Sequence, residues 1–297
     1  MKFGQVALVG RPNAGKSTLL NQLLGWKVAI VSDKPQTTRT RILGVRTLPE
    51  AQIVFVDTPG IHRPGYRLNE RMMAEVLAAL REVDLILHLI DVSEPLGKGE
   101  EYAVELVGSA PCRRFLLLNK VDKINKGKVL PLIEEFSQRG VYDEIFPISA
   151  LTGENLDRLL EKMIEVLPEG EAAYPQDFLT NQSERFLVSE IIREKVLLHT
   201  RQELPYATAV LVEEFDESRR EEGFVRISAS ILVEKDGQKK IVIGRGGRMI
   251  KQIGTEARKE IEQLLGVSRV YLELYVKVEP DWRNREYLLD ELGLAKS

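Results

Sequence analysis

The feature that most constrains the fold is a glycine-framed loop near the amino terminus, between an apolar strand and a helix. We predict the strand over residues 6–9, and the loop carries Gly10 and Gly15, followed directly by Lys16 and Ser17. Glycines let backbone N–H groups curl around phosphate oxygens, and the following helix presents the positive end of its dipole. The lysine can then reach β- and γ-phosphates, and the serine hydroxyl can ligate Mg²⁺. The predicted nucleotide-binding residues of this loop are Gly10, Arg11, Pro12, Asn13, Ala14, Gly15, Lys16, Ser17 and Thr18.

A second motif indicates which base is bound. The buried-strand run 116–118 ends in Asn119, Lys120, Val121 and Asp122. An aspartate carboxylate accepts from two donors at once, which guanine offers through N1–H and its 2-amino group. Adenine presents an acceptor there, and hydrogen-bonding sites reject such mismatches by about four to five powers of ten. Alone, this short string is also typical of a solvated turn, but its place after a strand and beyond the phosphate loop favours GTP or GDP.

Two further segments carry the metal ligands and the switches of such a site. The strand 53–56 leads to Asp57, which is suited to hold Mg²⁺ through water, and to Gly60, whose amide can sense the γ-phosphate. The segment 35–41 supplies a threonine for Mg²⁺; we favour Thr38, with Thr37 as the alternative. The predicted Mg²⁺ ligands are therefore Ser17, Thr38 and Asp57. The predicted catalytic residues are Lys16, Thr38 and Gly60. The predicted nucleotide-binding residues also include Asp57, Thr58, Pro59, Gly60 and Ile61.

The last part of the predicted nucleotide site is a pair of small residues, and one expected part is missing. Ser149 and Ala150 follow the strand 145–148, where a backbone amide can meet the guanine carbonyl. Many GTPases orient the attacking water with a glutamine after the Asp-x-x-Gly glycine, but here Ile61 occupies that position. Since isoleucine can neither donate nor accept a proton, we expect slow turnover by the isolated protein.

These motifs, in this chain order, give a family resemblance. Residues 1–170 resemble the translation-factor-related GTPases of the Era, Der and MnmE group. In related GTPases the asparagine of the Pro-Asn-x-Gly-Lys-Ser loop helps to bind K⁺, where an arginine finger would otherwise place its charge. Asn13 matches that position, so the resemblance implies K⁺ as a cofactor beside Mg²⁺. The alternative is that Asn13 caps a turn.

Length and composition indicate the cellular compartment of the protein and how many hydrophobic cores it can form. With 297 residues and 43% apolar content, the chain can bury one or two ordinary cores. Cys112 is the only cysteine, so no internal disulfide is possible, which fits a reducing compartment. No apolar run approaches the length that spans a bilayer. We therefore expect a cytosolic protein, and a monomer.

Residues 183–297 predict a second domain that binds RNA. After a linker over 171–182, we predict a helix over 183–198, strands over 208–215 and 225–234, a helical region, and a strand over 270–278. Residues 244–247 fit the G-x-x-G loop of a KH domain, which clamps the backbone of about four nucleotides. Basic residues flank this loop, an apolar strand precedes it and a core-forming helix follows it. The predicted RNA-binding residues are Lys239, Lys240, Ile243, Gly244, Arg245, Gly246, Gly247, Arg248 and Lys251.

The charge distribution supports a directed binding face. The net charge is −3 and the pI is near 5.9, yet residues 235–259 carry eight basic residues against Asp236 and Glu256. The alternative is a solvated helix face, which the neighbouring glycine loop disfavours. Trp282 lies beside two arginines and could stack a base, although such a tryptophan more often covers a domain edge.

The whole chain resembles the Era members of the GTPase group. The resemblance implies an α/β P-loop GTPase domain with a doubly wound, mostly parallel sheet, followed by an α+β type-2 KH domain. It also implies that the RNA is the 3′ end of 16S ribosomal RNA, that the process is 30S subunit assembly, and that the protein contacts the inner membrane peripherally. The alternatives are a membrane-associated cell-cycle regulator and a tRNA-modification GTPase. The latter would need a cofactor domain and a C-terminal cysteine, and the chain has neither.

Overall fold

The computed structural model describes residues 1–34, 36–62, 66–201 and 204–294. Pro35, where the predicted switch segment begins, and residues 295–297 of the predicted KH domain lie outside the described residues. In the described ranges the chain forms two separate sheets, each with its own helices and core. None of these helices is both long enough and apolar enough to cross a bilayer.

The first sheet has six strands in the spatial order β2-β3-β1-β4-β5-β6. Strand β2 runs antiparallel to β3, and the other neighbouring pairs are parallel. This is the doubly wound, mostly parallel sheet that the sequence predicts. Its strands are β1 Lys2–Gly10, β2 Ile42–Thr47, β3 Ala51–Asp57, β4 Leu85–Asp91, β5 Arg113–Asn119 and β6 Glu144–Ile148, and its helices are α1 Lys16–Leu24, α2 Arg67–Glu82, α3 Lys98–Gly108, α4 Val129–Gln138 and α5 Leu156–Val166.

The central strand shows why this sheet is covered on both faces. Val6 and Leu8 of β1 belong to a core that includes residues of α1 and α5, whereas Ala7 and Val9 pack with α2 and α3 on the other side. Successive side chains of a strand point to opposite faces, so an unbroken apolar run requires a helical layer on each face. The carboxyl ends of the parallel strands then meet at one edge, where the predicted nucleotide residues follow them.

The second sheet has three strands and an α+β arrangement. Strand β7 runs antiparallel to β8, and β8 runs parallel to β9. Helices α6 and α8 cover one face of the sheet through a shared apolar core. The order helix, two strands, two helices, strand confirms the predicted type-2 KH fold. Its elements are α6 Glu184–His199, β7 Ala209–Asp216, β8 Phe224–Val233, α7 Asp236–Ile243, α8 Arg248–Leu265, β9 Arg269–Val278 and a terminal α9 Glu286–Glu291.

The approach to the glycine loop differs from the sequence prediction. The apolar strand expected directly before the loop is not found there: strand β8 ends at Val233, and helix α7 separates it from Gly244. Residues 241–243 are the last turn of that helix, with Val242 buried. A short apolar run fits a strand and a buried helical turn equally well, and here the core requires the helix.

The segment between the two sheets lies against the first one. Leu179 accepts a backbone hydrogen bond from Val45 of the edge strand β2 at 2.8 Å. The buried Gln52 side chain accepts from the amides of Ala173 and Tyr174 at 2.8 and 3.0 Å. These bonds hold the predicted linker on the sheet edge. The domain bounds 1–170, 171–182 and 183–297 stay predictions.

Trp282 serves the core rather than the surface. Its side chain is completely buried, and Nε1 donates to the carbonyl of Ala207 at 2.9 Å. It packs with Leu68 and Met72 of α2 and with Leu289 of α9. The domain-edge interpretation is therefore the one that the structure favours, since a buried ring cannot stack a base.

Candidate nucleotide and RNA sites

The phosphate loop owes its shape to glycine at two close approaches. Gly10 has a φ of 149°, and a Cβ there would collide with the Leu89 carbonyl oxygen. Gly15 has a φ of 98°, and a Cβ there would collide with the side-chain amide of Asn119. Both positions combine a left-handed backbone with no room for a side chain, so only glycine fits. The loop is thus packed directly against the strand ends β4 and β5.

Lys16 lies inside this loop as a buried cation. Its Nζ donates to the carbonyls of Gly10 and Arg11 at 3.2 and 3.0 Å, and only 6% of the residue is exposed. Burial lowers the pKa of Lys16 to about 8, while the carboxylates of Asp57 and Glu100 oppose that shift. Among the described residues its hydrogen-bond acceptors are these two neutral carbonyls, so this buried cation is well placed to gain from a polyphosphate.

Three side-chain oxygens converge next to the lysine. Ser17 Oγ lies 2.7 Å from Asp57 Oδ2 and 2.8 Å from Thr38 Oγ1, and Thr38 Oγ1 lies 3.3 Å from the same carboxylate oxygen. Asp57 is fully buried, and its Oδ1 has no hydrogen-bond partner among the described residues. Burial raises the pKa of Asp57 to about 6, against the attraction of Lys16. A buried carboxylate with an unpartnered oxygen and two hydroxyls is a donor set that fits Mg²⁺.

The structure favours one of the two candidate threonines. Thr37 Oγ1 donates to the Lys34 carbonyl at 2.6 Å, within its own segment. Thr38 is 7% exposed and is the threonine that reaches Ser17 and Asp57. The preference for Thr38 therefore agrees with the geometry.

The segment after Asp57 contacts the phosphate loop closely. A Cβ on Gly60 would approach the backbone nitrogen of Pro12 to 2.7 Å, so glycine is required there. The Ile61 amide donates to the Gly10 carbonyl at 2.9 Å, and the Ile61 side chain is 2% exposed. A buried isoleucine held by its backbone cannot orient a water molecule.

Asn119 braces the base-binding segments against the phosphate loop. Its Nδ2 donates to the Ala14 carbonyl at 2.7 Å, and its Oδ1 accepts from the Ala150 amide at 2.9 Å. The Ala150 amide, expected to meet the guanine carbonyl, is thus hydrogen-bonded to Asn119 in this structure. Lys120 has a φ of 69° and pairs with Asp91. Asp122 follows in a short 3-10 turn with its side chain exposed, as a base-reading carboxylate must be.

Most of the predicted phosphate and metal residues line one cleft. Its volume is about 620 Å³. Glu100 of α3 and residues 94–96 also line it, and the sequence analysis identified none of these. The predicted residues in its wall are Arg11, Pro12, Asn13, Ala14, Gly15, Lys16, Ser17, Thr18, Thr38, Gly60 and Lys120.

Asn13 combines a turn conformation with a hydrogen bond to Asp33, which lies just before the switch segment. Its φ is 65°, a left-handed value that asparagine tolerates better than most residues. Its Nδ2 donates to the Asp33 carbonyl at 2.7 Å. Because the amide nitrogen points to Asp33, the amide oxygen remains as the group that can ligate a cation. Asn13 therefore has a turn conformation, while its side-chain hydrogen bond goes to Asp33, and this arrangement is compatible with a K⁺ role.

The second predicted site is the glycine loop before α8. Gly246 and Gly247 have φ values of 58° and 76°, and a Cβ on either would meet nothing within 4 Å. Gly244 is instead closed in, since its Cβ would approach the Met249 amide nitrogen to 2.9 Å. The loop therefore presents open backbone at the amino end of an 18-residue helix, which favours phosphate. The exposed basic residues around it are Lys240, Arg245, Arg248 and Lys251, and Lys239 is half-buried.

The residues that connect the two domains carry no recognisable motif in the sequence. Arg39, next to Thr38, is 7% exposed and donates to the Thr208 carbonyl of the second domain at 2.9 Å. Burial, with a smaller contribution from the charge of Arg193, lowers the pKa of Arg39 to about 9. Contacts between residues so far apart in the chain leave no local pattern by which they could have been found.

Comparison with known proteins agrees with this two-part arrangement. Residues 5–120 match the family of 50S ribosome-binding GTPases, and residues 203–283 match the KH domain family. GTPase Era of Geobacter metallireducens is 51% identical over 292 residues, which cover 98% of this chain and 97% of that protein.

Two solved structures match the full length of the chain. One is Era in complex with MgGDPNP and nucleotides 1506–1542 of 16S ribosomal RNA, with a TM-score of 0.95, 43% identity and complete coverage of both chains. The other is a tyrosine-to-alanine variant of Aquifex aeolicus Era bound to GDP·AlF4⁻, with the same score, identity and coverage. With this identity over nearly its whole length, the chain belongs to the Era family of GTPases.

Proposed function

We propose that this GTPase binds the 3′ end of 16S ribosomal RNA through the glycine loop before α8 and assists 30S subunit assembly under the control of GTP. The observation that carries the proposal is the open, basic glycine loop on the same chain as the phosphate-loop, switch and guanine-binding motifs of a GTPase. The relative that matches along the whole chain was solved with nucleotides 1506–1542 of 16S ribosomal RNA.

On the nucleotide side, each residue has a role that its position supports. Lys16 donates to the β- and γ-phosphates in place of its two carbonyl acceptors. Ser17, Thr38 and Asp57 hold Mg²⁺, which when bound neutralises charge on the phosphate oxygens. The Gly60 amide donates to the γ-phosphate, and Asp122 accepts from the guanine edge. These roles account for GTP binding and for stabilisation of charge on the phosphates with Mg²⁺ as cofactor.

The attacking water needs a different organiser from glutamine. Ile61 is buried and cannot hold it. We propose that the amide oxygen of Asn13 helps to bind K⁺ beside the phosphates, supplying charge there. Its support is the side-chain orientation that the Asp33 carbonyl fixes.

On the RNA side, the loop offers backbone rather than side chains. A phosphodiester can approach Gly246 and Gly247 without meeting a Cβ, and the helix dipole of α8 favours its charge. Exposed Lys240, Arg245 and Arg248 add positive charge around the approach. Single-stranded RNA suits this site, since its backbone and bases are both accessible.

The test compares two glycine substitutions in the same domain. Gly246→Asp places a negative charge where the phosphate approaches. Gly266→Asp is the control, because Gly266 ends α8 with a φ of 63° and its Cβ would likewise meet nothing within 4 Å. Both variants carry similar left-handed strain, of about 1–2 kcal/mol. With a GTP analogue bound, Gly246→Asp should weaken binding of the 16S 3′-end RNA by about 2 kcal/mol or more, and the control should not. Equal RNA affinity in the two variants would refute the proposal.

Two alternative functions have less support. Identity to Era along 98% of the chain disfavours a tRNA-modification GTPase. Peripheral contact with the inner membrane, and a regulatory role there, stay predictions from the family resemblance.

A further inference from the structure

The second domain contacts the switch segment on the amino side of Thr38. Arg193 of helix α6 donates from Nη1 to the Gln36 carbonyl at 3.4 Å and from Nη2 to the Thr37 carbonyl. Its guanidinium is fixed by Glu190, whose carboxylate accepts from Nε at 2.7 Å and from Nη2 at 2.6 Å. Arg193 is 2% exposed, so this is a buried, preorganised donor.

A second contact lies on the carboxyl side of Thr38. The Arg39 side chain enters the second domain, donating to the carbonyls of Thr208 and Pro205 at 2.9 and 3.3 Å. Its guanidinium lies 5.4 Å from the ring centroid of the buried Trp282. Thr38 is therefore flanked on both sides by groups that the second domain holds.

Two residues that precede the switch segment are held by the same helix. Glu194, the neighbour of Arg193, accepts from the Val31 amide at 2.9 Å and from Lys27 Nζ at 2.7 Å. It is 3% exposed. The second domain thus contacts this part of the chain at Val31, Gln36, Thr37 and Arg39, while the Thr38 hydroxyl reaches Ser17 and Asp57.

We propose that Arg193 is a positioning residue for Thr38: it fixes the switch backbone from the second domain, so that the threonine is presented to the metal of the GTP-bound state. The proposal rests on the function proposed above and adds the group that couples its two sites. Contacts through switch threonines depend on the γ-phosphate and are released after hydrolysis. Arg193 should therefore support the affinity for GTP and not that for GDP.

Coupling of this kind acts in both directions. If Arg193 stabilises the GTP-bound switch, that switch equally stabilises the domain orientation in which Arg193 reaches it. When GTP holds the second domain in this orientation, its RNA-binding loop can be exposed differently than when Arg193 no longer contacts the switch. The same variant should therefore reduce the effect of nucleotide on RNA affinity.

Helix α6 offers a matched control. Arg185 also donates to two backbone carbonyls, those of Val212 and Glu213, but both acceptors belong to its own domain. Arg185→Gln removes two arginine-to-carbonyl hydrogen bonds from the same helix, at a more exposed residue, without touching the switch. Arg193→Lys, which keeps a charge beside Glu190 but not the fork, is a second variant in case Arg193→Gln folds poorly.

The experiment measures dissociation constants on the full-length protein with Mg²⁺. Arg193→Gln should weaken binding of a non-hydrolysable GTP analogue by about tenfold, the scale of a lost hydrogen bond from a charged donor, and leave GDP binding within about twofold. Arg193→Lys should fall between it and the wild type, and Arg185→Gln should match the wild type. The ratio of RNA affinities with GTP analogue and with GDP should approach one in Arg193→Gln and stay at the wild-type value in Arg185→Gln.

Several results would overturn the proposal. If Arg193→Gln or Arg193→Lys lost as much affinity for GDP as for the GTP analogue, Arg193 would be a structural residue only. A loss in Arg185→Gln that equals the loss in Arg193→Gln would do the same. Equal RNA affinity of the wild-type protein with GTP analogue and with GDP would instead refute nucleotide control in the proposed function. The nucleotide-binding results would still decide the role of Arg193.

Discussion

Binding of GTP should draw a proton onto Lys16 at alkaline pH. In the nucleotide-free protein, burial lowers the pKa of Lys16 to about 8, and the acceptors of its Nζ within the described part of the chain are two backbone carbonyls. A bound β,γ-phosphate places several negative charges beside that ammonium group, which raises its pKa again. The free protein is therefore partly deprotonated at a pH where the complex is protonated.

The size of the effect follows from that pKa. At pH 8.5 a group with a pKa of about 8 is only about one-quarter protonated, so binding should take up about 0.75 proton. Because the pKa is lower in the free protein than in the complex, affinity must fall as pH rises above about 8. Between pH 7 and pH 9 the loss should be about tenfold, or about 1.4 kcal/mol.

Isothermal titration calorimetry measures this uptake directly. Mg²⁺ and a GTP analogue are titrated at pH 8.5 in two buffers of very different ionisation enthalpy, and the difference in observed heat gives the protons bound. Asp57, with a pKa of about 6, and the nucleotide phosphates are fully ionised at this pH and contribute none. Lys16→Arg is the control, since a guanidinium stays charged in both states. Uptake below about 0.2 proton, or equal uptake in the control, would refute this view of the loop.

Three further outcomes are expected. Asp122→Asn should weaken GTP binding and gain XTP binding in competition assays, because the new amide can donate to the 2-carbonyl of xanthine; retained GTP preference would exclude Asp122 as the base reader. Hydrolysis should be faster in K⁺ than in Na⁺ at equal ionic strength, and Asn13→Ala should remove most of the difference; equal rates in the two wild-type assays would contradict the K⁺ role. Lys240→Gln should lower the slope of log affinity against log salt by about one in an RNA titration, and an unchanged slope would mean that Lys240 contacts no phosphate.

The sequence predicted those parts of the molecule whose geometry is local. Spacing along the chain indicates the succession of strands and helices, the glycines of both loops and the base-binding motif from Asn119 to Asp122. The choice between Thr37 and Thr38 does not follow from spacing, because it depends on which way one hydroxyl points in an irregular segment. The helical turn before Gly244 was mistaken for a strand, since a three-residue apolar run has no period to read.

The joint between the domains could not be predicted. Arg193 and Thr37 are 156 residues apart, and neither arginine nor a backbone carbonyl carries a signature of its partner. The Asn119 brace between Ala14 and Ala150 is similar: its motif was recognised, but its two hydrogen bonds depend on how three strand ends meet. Long-range polar contacts of this kind are fixed by the assembled fold.

The most direct test of nucleotide control is the RNA affinity of the wild-type protein in its two nucleotide states. An RNA spanning nucleotides 1506–1542 of 16S ribosomal RNA would be titrated with the protein bound to Mg²⁺ and a non-hydrolysable GTP analogue, and again with GDP, at one salt concentration. We expect tighter binding with the GTP analogue. Equal affinity in both states would contradict the account, since a ligand shifts a conformational equilibrium only through its differential affinity for the two states.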